Sequence, residues 1–331
     1  MKAALIESVG TISLTEVPDP TPGPRDVVVK VAACGLCGTD LHILQGEFAP
    51  RLPIVPGHEF AGEVVAVGKD VGAGEVAVGD RVAVDPSLYC HECRYCRNGH
   101  ANLCDRWQAI GVSVPGGAAE YAVAPAANCV VLPEHVRVQD AALIEPLSCA
   151  IRGYDVLRST LGARVLIYGA GTMGLMMLEL AKRTGASGVD VVDINPDRLA
   201  TAFVLGCSGA AASAEELDRP QGWEVVIDAT GNAAAIQDGL GRVAKAGTFL
   251  QFGVADYAAR ATIEPYKIYN QEITITGSMA VLHSYERAAD LFATGILDPE
   301  VFITDRLPLA EYPRAMEQFA AGVGRKTVVV P

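Results

Sequence analysis

The pattern of apolar and polar positions changes about halfway along the 331-residue chain. Before residue 150, short apolar runs alternate with turns rich in glycine and proline, which predicts a hairpin over 2–17 and a strand over 27–33. After residue 150, strand-like runs alternate with helical segments. The candidate strands are 164–168, 189–193, 209–211, 224–228, 248–252 and 272–276, and two of the helices are 198–205 and 233–243. This alternation predicts an α/β fold with a doubly wound parallel sheet.

The first of these strands leads directly into a glycine-rich turn. Gly169, Gly171 and Gly174 form a Gly-x-Gly-x-x-Gly pattern, and a helical run follows it. The first glycine permits a tight turn, the second lets the backbone approach a pyrophosphate, and the third lets the helix pack on the strand. Thr172 and Met173 lie within this turn, and the free N–H groups at the start of the predicted helix, 175–182, would hold the phosphates. The pattern predicts a dinucleotide site, although such glycines can also be purely structural.

A carboxylate ends the second strand of this region. Asp193 follows Gly174 by 19 residues, close to the ~20-residue spacing of a ribose-binding acid. Its oxygens can accept hydrogen bonds from both ribose hydroxyls and would repel a 2′-phosphate, which favours NAD over NADP. The alternative is that Asp193 caps the turn formed with Asn195 and Pro196; the spacing favours the first interpretation.

Two later strands also end in small polar residues. Thr230 follows the strand 224–228, and Gly253 follows the strand 248–252. Because ligands of such sheets lie at the carboxyl ends of the strands, we expect these positions to flank the nicotinamide, unless they only form turns. Beyond residue 277 the pattern changes again. It predicts helices over 285–294 and 312–322 and a final strand over 325–330.

The charge balance narrows the class of ligand. The chain has 26 basic and 39 acidic residues and a net charge of −13, which argues against nucleic acid or an anionic membrane and favours a small molecule. Residues 1–7 do not resemble a signal peptide, and no apolar run approaches the ~18 residues of a membrane span. We therefore expect a cytoplasmic protein whose nine cysteines are thiols or metal ligands rather than disulfides.

The strongest local motif is a cluster of four cysteines. Cys90, Cys93, Cys96 and Cys104 fall within 15 positions in a polar loop, and this spacing predicts a closed tetrahedral zinc site. All four ligands come from the protein, so the ion would brace the loop and bind no substrate. An iron–sulfur cluster or two disulfides are the alternatives.

Other metal-binding side chains are more scattered. Cys34 and Cys37 form a CxxC pair that suits a redox pair, a metal ligand or the core. His58 and Glu59 suit zinc with a distant thiolate, but neighbours on a regular strand face opposite ways, so both reach one ion only at a bend. Glu145 lies in an apolar stretch, 138–152, that is predicted to be helical on both sides of Pro146, and it needs a metal or another partner there.

Taken in order along the whole chain, these motifs resemble the zinc-dependent medium-chain alcohol and polyol dehydrogenases. The matching segments are Gly57-His58-Glu59-x2-Gly62-x5-Gly68, Gly79-Asp80-Arg81-Val82, the four-cysteine loop and the dinucleotide turn. The resemblance implies a partly opened, GroES-like β-barrel catalytic domain of residues 1–148 and 278–331. Residues 149–277 would form an inserted Rossmann cofactor domain.

The resemblance also implies a catalytic zinc. Cys37, rather than Cys34, would bind it together with His58, and in the polyol branch Glu59 is the next ligand. Glu145 stands where classical alcohol dehydrogenases have a second cysteine, and it would bind directly or through water. This glutamate favours a polyol or sugar-like substrate over a simple alcohol, although threonine and glucose dehydrogenases are similar here.

Further roles carry over by position from the same family. Thr39 would lie beside the reacting oxygen, with His42 at the end of a proton relay and Asp40 behind a zinc ligand. Lys326 would lie near the active-site glutamate or the cofactor phosphates, and Arg198 would pack on the adenosine. The implied enzyme moves a hydride from a secondary hydroxyl to NAD, holds two zinc ions per chain and forms a homodimer or homotetramer.

Two rival functions fit parts of the same pattern. One is a non-catalytic dinucleotide-binding protein on this scaffold, which the presence of Cys37, His58 and Glu59 opposes. The other is a nucleic-acid module built on the four-cysteine loop, which the acidic balance opposes. The sequence does not name the substrate; Phe48, Trp107 and Tyr285 are candidates for the pocket wall.

Overall fold

The computed structural model describes residues 1–47, 51–157 and 161–331. The chain forms two compact units, which are Met1–Ser148 with Val281–Pro331, and Cys149–Ala280. No helix in the described ranges is both long and apolar enough to cross a bilayer.

The elements are numbered in chain order. The strands are β1 Lys2–Ser8, β2 Thr11–Glu16, β3 Asp26–Gly35, β4 Glu59–Val67, β5 Arg81–Val84, β6 Ser87–Leu88, β7 Gln108–Ala109, β8 Tyr121–Pro125, β9 Cys129–Val131, β10 Arg164–Tyr168, β11 Gly188–Val192, β12 Gly209–Ala211, β13 Trp223–Asp228, β14 Val243–Gln251, β15 Thr274–Gly277, β16 Ile303–Pro308 and β17 Lys326–Val330. The α-helices are α1 Gly38–Leu44, α2 Arg94–Arg97, α3 Ile144–Val156, α4 Thr172–Arg183, α5 Pro196–Val204, α6 Ala233–Arg242, α7 Pro265–Gln271, α8 Tyr285–Ala293, α9 Pro299–Phe302 and α10 Tyr312–Ala320. Short 3₁₀ turns lie at Ala101–Leu103, Ala126–Asn128, Ala141–Leu143, Ala214–Leu217 and Leu309–Glu311.

The first unit is built on a seven-stranded sheet. Its strands run in the order β16-β17-β3-β4-β5-β9, with β8 paired to β3, and most neighbours are antiparallel. The alternating apolar side chains of β3, including Val27, Val29 and Val31, are buried in one core with Phe60 of β4. The predicted opening hairpin is present as β1 and β2.

The C-terminal segment returns to the centre of this sheet. Strand β17 pairs antiparallel with β3, with Val328 opposite Gly35 and Val329 opposite Cys34. The Leu36 N–H also donates to the Thr327 carbonyl at 2.9 Å. This pairing brings the end of the chain beside the segment that follows β3.

The second unit confirms the predicted doubly wound sheet. Its six strands run parallel in the order β12-β11-β10-β13-β14-β15. Strand order reverses at β10, because β11 and β12 lie on one side of it and β13 to β15 on the other. In such sheets the ligand crevice lies at this reversal, at the carboxyl ends of the strands.

Two predicted elements begin several residues away from their observed starts. The strand predicted over 248–252 begins earlier, at Val243, because positions 244–246, which are half-buried or exposed, interrupt the apolar run on which the prediction is based. The helical stretch predicted over 138–152 begins at Ile144, and Pro146 lies in its first turn. Proline is tolerated there because N–H groups of the first turn have no partner within the helix.

Candidate functional site

Three of the predicted metal ligands meet in the first unit. One ligand atom each from Cys37, His58 and Glu59 lies within 4.8 Å of the other two. Cys37 precedes α1, and Glu59 begins β4 with His58 just before it. Cys34 is not part of this group; it is fully buried, and its thiol donates to the Gly35 carbonyl at 3.7 Å.

A sharp turn explains how neighbouring residues reach one point. Gly57 has a φ of +93°, which favours glycine, and a Cβ there would lie 2.8 Å from the Ala118 nitrogen. This is the bend that His58 and Glu59 need in order to face the same ion. A second glycine makes room for the carboxylate, since a Cβ at Gly35 would collide with a Glu59 oxygen.

Asp40 ties the two ligand segments together. Its carboxylate is fully buried and accepts hydrogen bonds from the N–H groups of Cys37 at 2.9 Å and Gly57 at 3.2 Å. It also lies 3.8 Å from His58 Nδ1, an ion-pair separation that is too long for a hydrogen bond. Burial lowers the pKa of His58, but Asp40 and Cys37 raise it by more, so its pKa is well above the usual value.

The donor set fits zinc. A thiolate, an imidazole and a carboxylate are the ligands that zinc takes in proteins. The His58 Nδ1 atom is buried and makes no hydrogen bond within the described residues, and such an atom is costly unless something satisfies it. The thiol of Cys37 donates to Thr39 Oγ1 at 3.7 Å.

Lys326 lies at this centre, in contact with Glu59. Its ammonium donates to both Glu59 oxygens, at 2.8 and 2.6 Å, and to the Leu36 carbonyl at 2.9 Å. These contacts use all three donors of the ammonium. Burial lowers the pKa of Lys326, but the charges of Glu59, Cys37 and Glu145 raise it by more.

Glu145 is close enough to act electrostatically but lies outside the group of three. It is 7% exposed in the first turn of α3. The Ser148 hydroxyl donates to its backbone carbonyl at 2.6 Å. Its carboxylate contributes to the raised pKa of Lys326.

Thr39 and His42 lie three residues apart on α1, so they share one face of this helix. His42 Nδ1 is 2.7 Å from a carboxylate oxygen of Glu47. Glu47 is not predicted from the sequence, because its spacing from His42 gives no periodic signal.

The four loop cysteines form a second candidate metal centre. The sulfur atoms of Cys90, Cys93, Cys96 and Cys104 lie within 4.8 Å of one another, and all nine cysteines are free thiols. The alternative of two disulfides is therefore not what the structure shows. Backbone N–H groups point at the sulfurs, from Cys93 to Cys90 at 3.3 Å, from Cys96 to Cys93 at 3.5 Å and from Arg106 to Cys104 at 3.3 Å.

The electrostatics of this loop favour thiolates. Hydrogen bonds from the Glu92 and Cys93 backbone, with help from the Arg106 side chain, lower the pKa of Cys90 to about 5. Backbone hydrogen bonds also lower the pKa of Cys93. Burial and the neighbouring thiols raise the pKa of Cys96 to about 12. A bound cation would complete the deprotonation, because zinc takes cysteine as thiolate.

The dinucleotide turn of the second unit has the expected geometry. Gly169 has a φ of +98°, and Gly171 is the N-cap of α4. A Cβ at Gly174 would collide with the Gly169 carbonyl. Thr172 and Met173 are the first residues of α4, whose leading N–H groups have no partner within the helix.

Asp193 caps the turn formed with Asn195, which is the less favoured interpretation of its position in the sequence. One carboxylate oxygen accepts from Asn195 N–H at 2.8 Å, and the other accepts from Ala170 N–H at 2.7 Å in the glycine turn. Each oxygen has a second lone pair, so these contacts are compatible with ribose binding. Arg198 lies in the first turn of α5.

Thr230 and Gly253 are held around a buried acid that the sequence analysis missed. Asp228 ends β13 with no exposed surface, and it accepts hydrogen bonds from Thr230 Oγ1 at 2.5 Å and from the Gln251 amide at 2.7 Å. The signal that was available is a carboxylate that ends an apolar strand directly before a Thr-Gly turn. Of the candidates for the pocket wall, Tyr285 is buried and Trp107 half-buried; Phe48 lies outside the described residues.

Family models match both units. Residues 23–134 match the alcohol dehydrogenase GroES-like domain, and residues 172–294 match the zinc-binding dehydrogenase domain. These matches confirm the predicted fold class, a GroES-like domain with a doubly wound cofactor domain.

Curated relatives match along nearly the whole chain. D-arabinitol dehydrogenase 1 of Uromyces fabae is 35% identical over 342 residues, covering 100% of this chain and 97% of the relative. D-altritol 5-dehydrogenase of Agrobacterium fabrum is 36% identical, covering 94% of each. L-threonine 3-dehydrogenase of Saccharopolyspora erythraea is 35% identical, covering 96% and 95%.

Solved structures agree with the same fold. A zinc-binding dehydrogenase from Sinorhizobium meliloti, with bound NADP, has a TM-score of 0.96 at 35% identity and covers 100% of this chain and 99% of its own. A short-chain alcohol dehydrogenase from Escherichia coli, with bound NADH, has a TM-score of 0.92 at 30% identity, with the same coverage.

Proposed function

We propose that this chain, which belongs to the zinc-binding alcohol and polyol dehydrogenase family, oxidises a secondary hydroxyl of a polyol or sugar-like molecule to a ketone. NAD is the oxidant. The substrate loses a hydride to NAD and a proton to solvent, so the products are the ketone, NADH and a proton. The observation that carries the proposal is the meeting of Cys37, His58 and Glu59 at one point of the first unit. The catalytic role falls to residues 1–148 and 278–331, and the cofactor role to 149–277.

The side chains of the first unit divide the work at the metal. Cys37, His58 and Glu59 would hold a catalytic zinc, and Glu145 would reach it directly or through water. A bound zinc ion supplies Lewis acidity, which lowers the pKa of a hydroxyl group and polarises a carbonyl. The four loop cysteines hold a structural zinc, which leaves no position for substrate.

Residues of α1 handle the proton. Thr39 Oγ1 accepts the hydroxyl proton as its own proton leaves along the relay that ends at His42, and the His42 imidazole passes a proton to solvent. Their spacing supports this assignment, because it puts both on one face of a short helix. Glu47 holds His42 by its Nδ1 atom, which orients the ring.

Residues of the second unit hold NAD. The glycine turn, with Gly169, Gly171, Thr172, Met173 and Gly174, takes the pyrophosphate at the start of α4. Asp193 takes the adenosine ribose, with Arg198 packed on the adenosine and Thr230 and Gly253 beside the nicotinamide. The buried carboxylate of Asp193 would repel the 2′-phosphate of NADP, which supports NAD although the Sinorhizobium meliloti structure binds NADP.

The substrate class follows from the carboxylates at the metal and from the relatives. Glu145 stands where classical alcohol dehydrogenases have a second cysteine, and two of the relatives described above act on the polyols arabinitol and altritol, as their names say. L-Threonine, which also carries a secondary hydroxyl, is the second candidate because a threonine dehydrogenase is equally similar.

The test is a screen for NAD reduction against polyols, sugars, secondary alcohols and threonine, with metal content measured on the same samples. We expect the highest kcat/KM on a polyol, and about two zinc ions per chain. Cys37→Ser should lose most turnover and one zinc ion, whereas Cys34→Ser, the matched control in the same CxxC pair, should keep both. Normal turnover in Cys37→Ser would refute the site.

Assembly and location are part of the proposal. A homodimer or homotetramer is supported by β15, which lies at the edge of the six-stranded sheet and offers unpaired backbone groups. A cytoplasmic location is supported by the nine free thiols. Light scattering on the purified protein tests the first, and fractionation of the producing cells tests the second.

A further inference from the structure

The second unit contains a buried carboxylate that the proposed mechanism does not use. Asp228 ends β13 with no exposed surface. One of its oxygens accepts from the Thr230 N–H at 3.1 Å and from Thr230 Oγ1 at 2.5 Å. The other accepts from the Gly231 N–H at 3.0 Å and from Gln251 Nε2 at 2.7 Å. A single side chain therefore fixes the turn after β13 and reaches the next strand.

Gln251 extends this connection to the turn after β14. The parallel register puts Asp228 directly opposite Gln251. The same Gln251 amide nitrogen also donates to the Gly253 carbonyl at 2.7 Å, and the Gly253 N–H donates to the Asp228 carbonyl at 2.7 Å. We refer to Asp228 and Gln251 together as the carboxylate–amide strut.

The two turns are packed too closely to move independently. A Cβ at Gly253 would lie 2.8 Å from the Thr230 nitrogen and 2.9 Å from an Asp228 oxygen, which leaves no room for a side chain. Any change that displaces the first turn therefore displaces the second.

The order of strands shows which half of a dinucleotide these turns face. Strand β10 carries the glycine turn, and β11 on one side of it leads to Asp193, which the proposed function assigns to the adenosine ribose. Strands β13 and β14 lie on the other side of β10. A dinucleotide whose pyrophosphate lies at the reversal of strand order, beside β10, extends toward β11 on one side and toward β13 on the other. Since its adenosine half lies toward β11, its nicotinamide half lies over the ends of β13 and β14.

We propose that Asp228 is a positioning residue for the nicotinamide half of the cofactor and acts through the carboxylate–amide strut. Its carboxylate contacts Thr230 and Gly231 directly and is linked to Gly253 through Gln251. This inference rests on the proposed dinucleotide site but not on the identity of the alcohol substrate.

The test compares two ligands on one variant. Asp228→Asn keeps the size of the side chain but places an amide N–H₂ against N–H donors, so at least one buried donor loses its acceptor. We expect the dissociation constant for NAD, measured by titration calorimetry, to rise by about tenfold or more. ADP lacks the nicotinamide half, and its dissociation constant should change by less than about twofold, as for a distant site.

Two further variants separate positioning from loss of structure. Asp190→Asn is the matched control, because Asp190 is a buried carboxylate of the same sheet that accepts from the Trp223 indole at 2.8 Å. It should leave the ratio of the NAD and ADP dissociation constants unchanged. Gln251→Met removes only the amide half of the strut and should raise the ratio by about threefold. This variant also carries the test if Asp228→Asn does not fold.

The outcomes are distinct. A wild-type ratio in both strut variants, or an equal loss of NAD and ADP affinity, would overturn the positioning role. If no polyol is oxidised by the wild-type protein, the substrate proposal fails, but the ratio of the two ligands still decides the role of Asp228.

Discussion

Replacing Lys326 with methionine tests the electrostatic balance of the candidate metal centre. Methionine keeps the length of the side chain but removes the only ammonium that contacts Glu59 among the described residues. Glu59 is 1% exposed and Lys326 is 4% exposed, so the variant leaves a carboxylate buried without its cation. Removing one partner of a buried ion pair costs about 3–5 kcal/mol of unfolding free energy.

This cost is large enough to measure. For a domain of 150–250 residues it corresponds to a fall in Tm of about 6–20 °C. The assay is differential scanning fluorimetry on the metal-stripped protein, with Lys30→Met as the control because Lys30 is an exposed lysine on β3. Saturating zinc should raise the Tm of Lys326→Met by more than that of the wild type, because the ion replaces the missing positive charge beside Glu59.

One result would refute this reasoning. It is that metal-free Lys326→Met melts within about 2 °C of both the wild type and Lys30→Met. In that case burial of the Glu59 carboxylate without a neighbouring cation costs little unfolding free energy. The buried ion pair would then contribute little, and the explanation of the centre by charge balance would be wrong.

Three other perturbations test separate parts of the structure. Asp193→Ala should raise KM for NAD about tenfold, because it removes the acceptor of the Ala170 N–H in the glycine turn. It should also narrow the preference for NAD over NADP, because it removes the charge that repels a 2′-phosphate. Unchanged cofactor kinetics would remove Asp193 from the site. Arg106→Gln should speed chelator-driven zinc release about threefold relative to Arg94→Gln, because the Arg106 side chain hydrogen-bonds to Cys90 and favours its thiolate; equal rates would exclude that role. Burial raises the pKa of Tyr154 in the folded protein, so this tyrosine ionises at a lower pH, about 10, in the unfolded chain than in the folded one. Above that pH the free energy of unfolding therefore falls by up to about 1.4 kcal/mol per pH unit. Tyr154→Phe should lessen that fall in alkaline denaturant titrations, and an identical slope would contradict it.

The features that sequence predicted well depend on residues that are close along the chain. The glycine turn joins one strand to the next helix, and the observed bounds of β10, Arg164–Tyr168, match the predicted strand. The four loop cysteines lie within 15 positions, so their spacing alone limits what they can bind. In both cases the backbone between the functional residues is too short to permit many arrangements.

The features that no local sequence pattern predicts depend on pairing between distant segments. Lys326 reaches Glu59 only because β17 pairs with β3, and no local pattern near residue 326 shows which strand it joins. Gln251 reaches Asp228 because of the register between β13 and β14. A shift of one residue would turn the side chain to the other face of the sheet.

The same distinction has a consequence for the two metal centres. The donors Cys90–Cys104 need only a short loop to close, and the entropy cost of closure is small for short loops. The donors Cys37 and His58 come together only when β3 and β4 have paired and Gly57 has turned the chain. Because binding free energy is also folding free energy when a site is absent from the unfolded chain, zinc bound at Cys37 and His58 reports on the formed sheet, whereas zinc bound at the loop cysteines reports only on the loop. Metal content therefore has to be assigned to each centre separately before it is interpreted as catalytic capacity.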